Sequence, residues 1–179
     1  MEARIKIALS VVVFVLLIIA FSLVYSYFQR LNRPVWMFKG AYAVYEYQGF
    51  VWFIPYKVSF RFEVTKVEYP LVTIVVHCSF ESGLKNDEKT YVVSLKCDDH
   101  FWENIIERID GKPSKHYIKF VYVEGHGIRE CIVYEVYKKD AKTIYYIDKK
   151  NNWLMRIDYI SKDIKIVLKI KETNINFKD

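Results

Sequence analysis

Hydrophobic residues are spaced in two different ways along this chain, and the change falls near Pro34. From Ile7 to Phe28 the sequence runs twenty-two residues without a charge, a proline or a glycine. A helix of that length would rise about 33 Å, enough to cross a hydrocarbon core. Beyond Pro34 the unbroken run gives way to alternation, the mark of strands with one buried face. Tyr56, Val58, Phe60, Phe62 and Val64 share one parity, and Lys57, Ser59, Arg61, Glu63 and Thr65 share the other. The same reading predicts strands over Ala41–Phe50, Tyr56–Val64, Leu71–Phe80, Thr90–Cys97 and Tyr117–Val123. It continues with Ile128–Tyr137, Lys142–Ile147, Trp153–Ile160 and Ile164–Lys171.

Links between these runs are short and rich in turn residues, such as Gly125-His126-Gly127 and Ser161-Lys162-Asp163, so neighbouring strands should be antiparallel. One segment breaks the alternation. Over Asp99–Ile109 the apolar positions Phe101, Trp102, Ile105, Ile106 and Ile109 recur at helical spacing. Asp98 or Asp99 can cap this helix, and Gly111 with Pro113 ends it.

The predicted fold class is mainly β (α+β). A short basic tail (1–6) precedes a transmembrane helix (7–28), a juxtamembrane linker (29–39) and an antiparallel β domain (40–179). That domain is expected to be a curved meander of about nine strands with one inserted helix lying on its apolar face, a closed sandwich being the alternative. A cleavable signal peptide competes for the front segment, since Arg4 and Lys6 precede it and Ala20-Phe21-Ser22 offers a cleavage-site pattern. The apolar run continues past Ser22 to Phe28, which favours an uncut anchor. Arg4 and Lys6 on one side nearly balance Arg30, Arg33 and Lys39 on the other. The use of anchors to hold a domain outside therefore decides for an extracytoplasmic domain at the cell membrane.

Composition narrows the function classes. With 53% apolar and 17% aromatic residues in 179, the chain has material for one ordinary core. The net charge of +6 does not indicate nucleic acid, because seven of the 27 basic residues are arginine and no arginine–aromatic cluster appears. Lys165, Lys169 and Lys171 alternate with Ile164, Ile166, Leu168 and Ile170, the pattern of an edge strand guarded by lysine. Twenty lysines and twenty isoleucines against two glutamines match a heat-adapted composition.

No catalytic, cofactor-binding or metal-ligating set emerges. His77, His100, His116 and His126 stand apart from one another, and no nucleophile, phosphate-loop or dinucleotide motif occurs. An enzymatic reading would need Glu130 to face His116 or His126 across a cleft. A hairpin centred near Lys85 would place Cys78 opposite about residue 92, too far from Cys97 for a disulfide. Cys78 and Cys97 are therefore expected to be free, small apolar fillers, and Cys131, alternating with Ile132 and Tyr134, points the other way from that hairpin's core partners. Two candidate surfaces remain. Phe60, Phe62, Trp102 and Ile106 would line any apolar ligand cavity between sheet and helix, and Tyr45, Tyr47, Trp52 and Phe53, gathered around Gly49 and Pro55, would form a membrane or partner patch.

Two stretches carry a family likeness. Trp36-Met37-Phe38-Lys39-Gly40-Ala41-Tyr42-Ala43-Val44-Tyr45 resembles the start of the outward-facing β domain of uncharacterised archaeal single-pass membrane-anchored proteins. Asp148-Lys149-Lys150-Asn151-Asn152-Trp153-Leu154 resembles a late turn in those domains and in the half-barrels of lipoprotein-sorting type. Asn151-Asn152 stands where that turn usually has glycine, which still permits a left-handed residue. The likeness implies a curved sheet, whose distant relatives hold acyl chains on the concave face, and no catalytic residue.

The expected function is that of a non-enzymatic, membrane-anchored binding or scaffold protein. Its partners would be the lipid bilayer, through Ile7 to Phe28, and a membrane or envelope protein. A carrier of lipid or another apolar ligand is the first alternative, and an enzyme acting on a cell-surface substrate the second.

Overall fold

The computed structural model describes residues 15–24, 27, 33–51 and 53–177, and the chain forms two compact units, Met1–Pro34 and Val35–Asp179. In the first unit residues 15–24 are helical and every one of them is exposed. Ser22 turns its hydroxyl back onto the Ile18 carbonyl at 2.8 Å, which removes the one polar side chain of this stretch from solvent competition. Among the described residues no helix is long and apolar enough to cross a membrane. The expected span 7–28 lies partly outside them, at residues 7–14, 25, 26 and 28.

The second unit is one nine-stranded antiparallel sheet, open and half-barrel-like. Its strands are β1 (Tyr42–Val51), β2 (Ile54–Glu68), β3 (Leu71–Ser82), β4 (Asn86–Lys96), β5 (Lys115–Val123), β6 (Gly127–Lys138), β7 (Ala141–Asp148), β8 (Trp153–Ser161) and β9 (Lys165–Thr173). They follow the predicted runs closely. In β3 the alternation is literal: Val72, Ile74 and Val76 are buried, while Thr73, Val75 and His77 point to the other face. β-Branched side chains at these positions suit the pleat and fix which face turns inward.

The order across the sheet is β4-β3-β2-β1-β9-β8-β7-β6-β5. The chain therefore steps outward from β1 to one edge, crosses to the opposite edge through the Phe101–Ile109 helix, and steps back to finish beside β1. This corrects the reading of Ile164–Lys171 as an edge strand: β9 pairs with both β1 and β8 and lies in the middle. Alternation with lysine reports a solvated face, which a central strand shares with an edge strand. A closed sandwich is excluded, since there is one sheet with β4 and β5 as its edges.

The helix packs through Phe101, Trp102, Ile105 and Ile106, all buried. Each such side chain contributes roughly 1.5–3 kcal/mol on burial. His100, not an aspartate, occupies the cap position; Asp98, two residues earlier, accepts the His100 N–H at 3.1 Å and shapes the approach to the helix. Asp110 N–H closes the helix onto the Ile106 carbonyl, and Gly111 follows at φ 111, a conformation that strongly favours glycine. Asp110 also accepts the Tyr145 hydroxyl at 2.9 Å and pairs with Lys138, tying the helix end to β7 and β6.

Under the helix four aromatic rings share one site. Trp36 stacks on Phe101 at 5.3 Å and tilts against Trp153 at 5.1 Å, while Trp102 meets Trp153 edge-on at 5.3 Å. Both the Trp36 and Trp102 indoles donate to the Asn152 carbonyl, at 2.7 and 2.9 Å. Asn152 presents that carbonyl from a left-handed turn residue, φ 48, between β7 and β8. A smaller cluster of Val121, Cys131, Val133, Ile144 and Tyr146 lies on the opposite face of β5–β7.

Candidate binding surface at the hairpin tips

The residues expected to line an apolar cavity are mostly core. Phe62, Trp102 and Ile106 are all buried, and Phe62 meets Trp102 edge-on at 5.9 Å, so their rings fill the space between sheet and helix. Phe60 is half-buried and packs against the same cluster. Of the expected patch, Tyr45 is buried, its hydroxyl donating to the Leu154 carbonyl. Burial pushes the Tyr45 hydroxyl pKa well up, and the nearby Trp153 N–H offsets part of that. Tyr47 is half-buried, Phe53 is 95% exposed, and Trp52 lies outside the described residues.

The cysteines are free. The β3–β4 register sets Cys78 opposite Lys89, three positions from the expected partner near 92, because the hairpin is centred on Gly83–Leu84 and not on Lys85. Cys131 falls on the opposite face from Cys78, as its parity required. Desolvation raises the pKa of Cys78 and Cys97 to about 11 and of Cys131 to about 12. Glu130 forms an ion pair with Lys149 at 2.9 Å. His116 lies against the Tyr134 ring at 6.2 Å, and His126 against Phe177 at 5.2 Å. Among the described residues no group of three potential metal ligands converges.

What the fold does assemble is an apolar end built from two adjacent hairpin tips. β1 and β2 close tightly, with Val51 opposite Ile54 and Phe53 held at φ 127. The β3–β4 turn is folded by Ser82. Its hydroxyl donates to the Lys85 carbonyl at 3.0 Å and accepts the Leu84 and Lys85 N–H groups at 3.3 and 3.0 Å. A Cβ placed on Gly83 would lie 3.8 Å from the side chain of Ile54 at the start of β2, so the two hairpin tips lie side by side. Phe50, Phe53 and Leu84, at 76%, 95% and 81% exposure, crown this end.

Behind the crown runs an aromatic row, with Tyr47 to Tyr56 at 5.8 Å and Tyr56 to Phe80 at 6.1 Å. Gly49 makes room for it, since a Cβ there would stand 2.7 Å from the Tyr47 ring. Between the hairpins opens a pocket of about 630 Å³ bordered by Gly49, Phe50, Pro55, Tyr56, Ser82 and Gly83. Lys57 at its side is paired with Glu46 at 2.8 Å, and Lys85 with Asp87 at 3.5 Å. The surface thus offers aromatic and aliphatic contact with hydroxyl and backbone groups around it, the chemistry of a binding site.

Phe50 and Leu84 escaped the sequence reading, although both left a signal. Phe50 has the parity of Val44, Glu46 and Gln48, facing away from the core, and Leu84 stands inside a turn beside glycine. A large apolar residue at either kind of position has no core to enter. The chain matches no family model and no curated protein.

Proposed function

We propose that this protein is a non-enzymatic binding module, tethered to a membrane by its apolar N-terminal segment, that engages a membrane or envelope partner through the crown of Phe50, Phe53 and Leu84. The observation that carries the reading is the placement of three large, solvent-exposed apolar side chains at one end of the sheet, Phe53 and Leu84 on adjacent turns and Phe50 at the end of β1. Such a patch costs solubility unless it is covered, and turns held by a tight register and by Ser82 present it at little loss of conformational entropy. The tether rests on the twenty-two uncharged residues from Ile7 to Phe28 and on the exposure of the apolar side chains of residues 15–24. An extracytoplasmic position for the β domain follows the common use of such anchors.

Photo-crosslinking tests the proposal directly. A photoreactive residue at Phe53 or Leu84 of the full chain, expressed in membranes, should give a discrete crosslinked species. The same residue at Lys165, on β9, should not. Equal labelling from all three positions would remove the crown from the functional reading, and protease accessibility of the β domain in intact cells tests the orientation independently.

A further inference from the structure

The two edges of the sheet differ in what their free backbone groups carry. In an antiparallel pair, alternate residues turn both N–H and C=O toward the same neighbour. On β6 the Glu130 carbonyl accepts the Lys149 N–H at 2.9 Å, on the β7 side, so Glu130 faces away from β5. Phe120 is the register partner of Glu130. Its N–H and C=O therefore lie on the open edge, as do those of Ile118 and Tyr122. The side chains of these three residues share one face and are 56%, 70% and 67% exposed, with Ile128 at 74% beside Tyr122. β5 has no proline and no bulge, and its lysines, Lys115 and Lys119, have the other parity.

β4 is the contrast. Ser82 N–H donates to the Lys85 carbonyl, which turns the odd residues of β4 toward β3. The free groups then belong to Asn86, Glu88, Thr90, Val92, Ser94 and Lys96, of which Val92 alone is large and apolar. That edge is defended by polar and charged side chains in the usual way, and β5 is not.

The geometry points to β5 as the seam of a homodimer, in which a second copy of this chain pairs antiparallel along the open edge about a two-fold axis through Phe120. In this register Phe120 faces its own copy, Ile118 faces Tyr122, and His116 faces Glu124. The apolar stripe is covered by itself, and at each end His116 meets Glu124, whose carboxylate is also paired with Lys169 of its own chain. Moving the axis to Lys119 would set that lysine opposite its copy in the closer, non-hydrogen-bonded pairing, which is unfavourable. Moving it to Ile118 would set His116 against Phe120 and Tyr122 against Ser114, breaking the apolar match. This self-complementarity in both backbone polarity and side-chain order selects a second copy over an unrelated strand. The hairpin-tip crown is built from β1–β4 and stays free.

Sedimentation of the full chain in density-matched detergent tests the seam. The unaltered chain should reach twice its 21.4 kDa as concentration rises. Phe120→Pro removes an N–H that the fold itself does not use, together with the ring at the axis, and should weaken dimerisation by about 100-fold or more. Val92→Pro, the matched change on the other edge, should leave the dimer intact. If Phe120→Pro loses its strand signal in circular dichroism, Phe120→Lys, which sets like charges at the axis, serves in its place. A chain that stays monomeric overturns the proposal and leaves the edge to a strand of another protein. A dimer insensitive to change at Phe120, or equally lost on change at Val92, also overturns it.

Discussion

Asn152 shows how much one residue in this chain has to do. It holds φ 48 and aims its carbonyl at two indole N–H groups that arrive from Trp36 and Trp102. The carbonyl belongs to the backbone, so Asn152→Gly should keep both bonds and change stability by less than about 0.5 kcal/mol. Asn152→Val should cost about 1–2 kcal/mol in denaturant unfolding, because a β-branched residue resists the left-handed region. The cysteines give a second test at this scale. Their raised pKa values keep the thiols protonated near neutrality, so thiol reagents at about pH 7.5 should label the native chain slowly and the denatured chain fast. A folded pKa above the ordinary 9.0 means that the unfolded chain gives up its protons first. Stability contributed by these groups is whole below about pH 9 and is lost as pH rises toward 11 and 12. A denaturation midpoint that held steady over that window would contradict the buried placement.

At the scale of elements, the helix and the clasp between first and last strands hold the topology together. Ile105 lies at 0% exposure between helix and sheet, and Ile105→Ala should destabilise by about 2–4 kcal/mol. Asn174 binds the start of β1 twice: its side-chain carbonyl accepts the Tyr42 N–H at 2.8 Å and its amide donates to the Gly40 carbonyl at 2.8 Å. Asn174→Ala should cost about 1–2 kcal/mol, and hydrogen exchange should quicken in β1 and β9 before β6 and β7. Element identities were legible from spacing alone. All nine strands and the helix stand where alternation and the one helical stripe put them, because burial of one face forces a period into the sequence. Partners were less legible, as the reading of β9 as an edge shows. Each strand's pattern says which side is wet, and it is silent about who sits beside it.

For the whole molecule, the crown and the core are separate. Phe50, Phe53 and Leu84 touch little that holds the sheet together, so replacing all three with serine should leave the thermal midpoint within a few degrees while abolishing the crosslinked species described above. A parallel loss of stability would mean that the crown belongs to the core. Of the site first expected from sequence, Phe53 remains at the surface, while Tyr45 went inside and Tyr47 half inside. Parity within β1 separated its odd positions, which pack, from Phe50, which does not, and only the side-by-side placement of the two hairpin tips brought Leu84 alongside.

Sequence by itself determined the apolar front segment, the strand and helix periods and the inward faces, because each of these follows from local spacing or from the residues a short stretch contains. Tertiary structure alone decided the strand order, with the last strand joining the first in mid-sheet, the four-ring cluster on the Asn152 carbonyl, and the meeting of the two hairpin tips. Those depend on contacts between residues up to more than a hundred positions apart, and such contacts are selected by the packing of the whole sheet and leave no period in the chain.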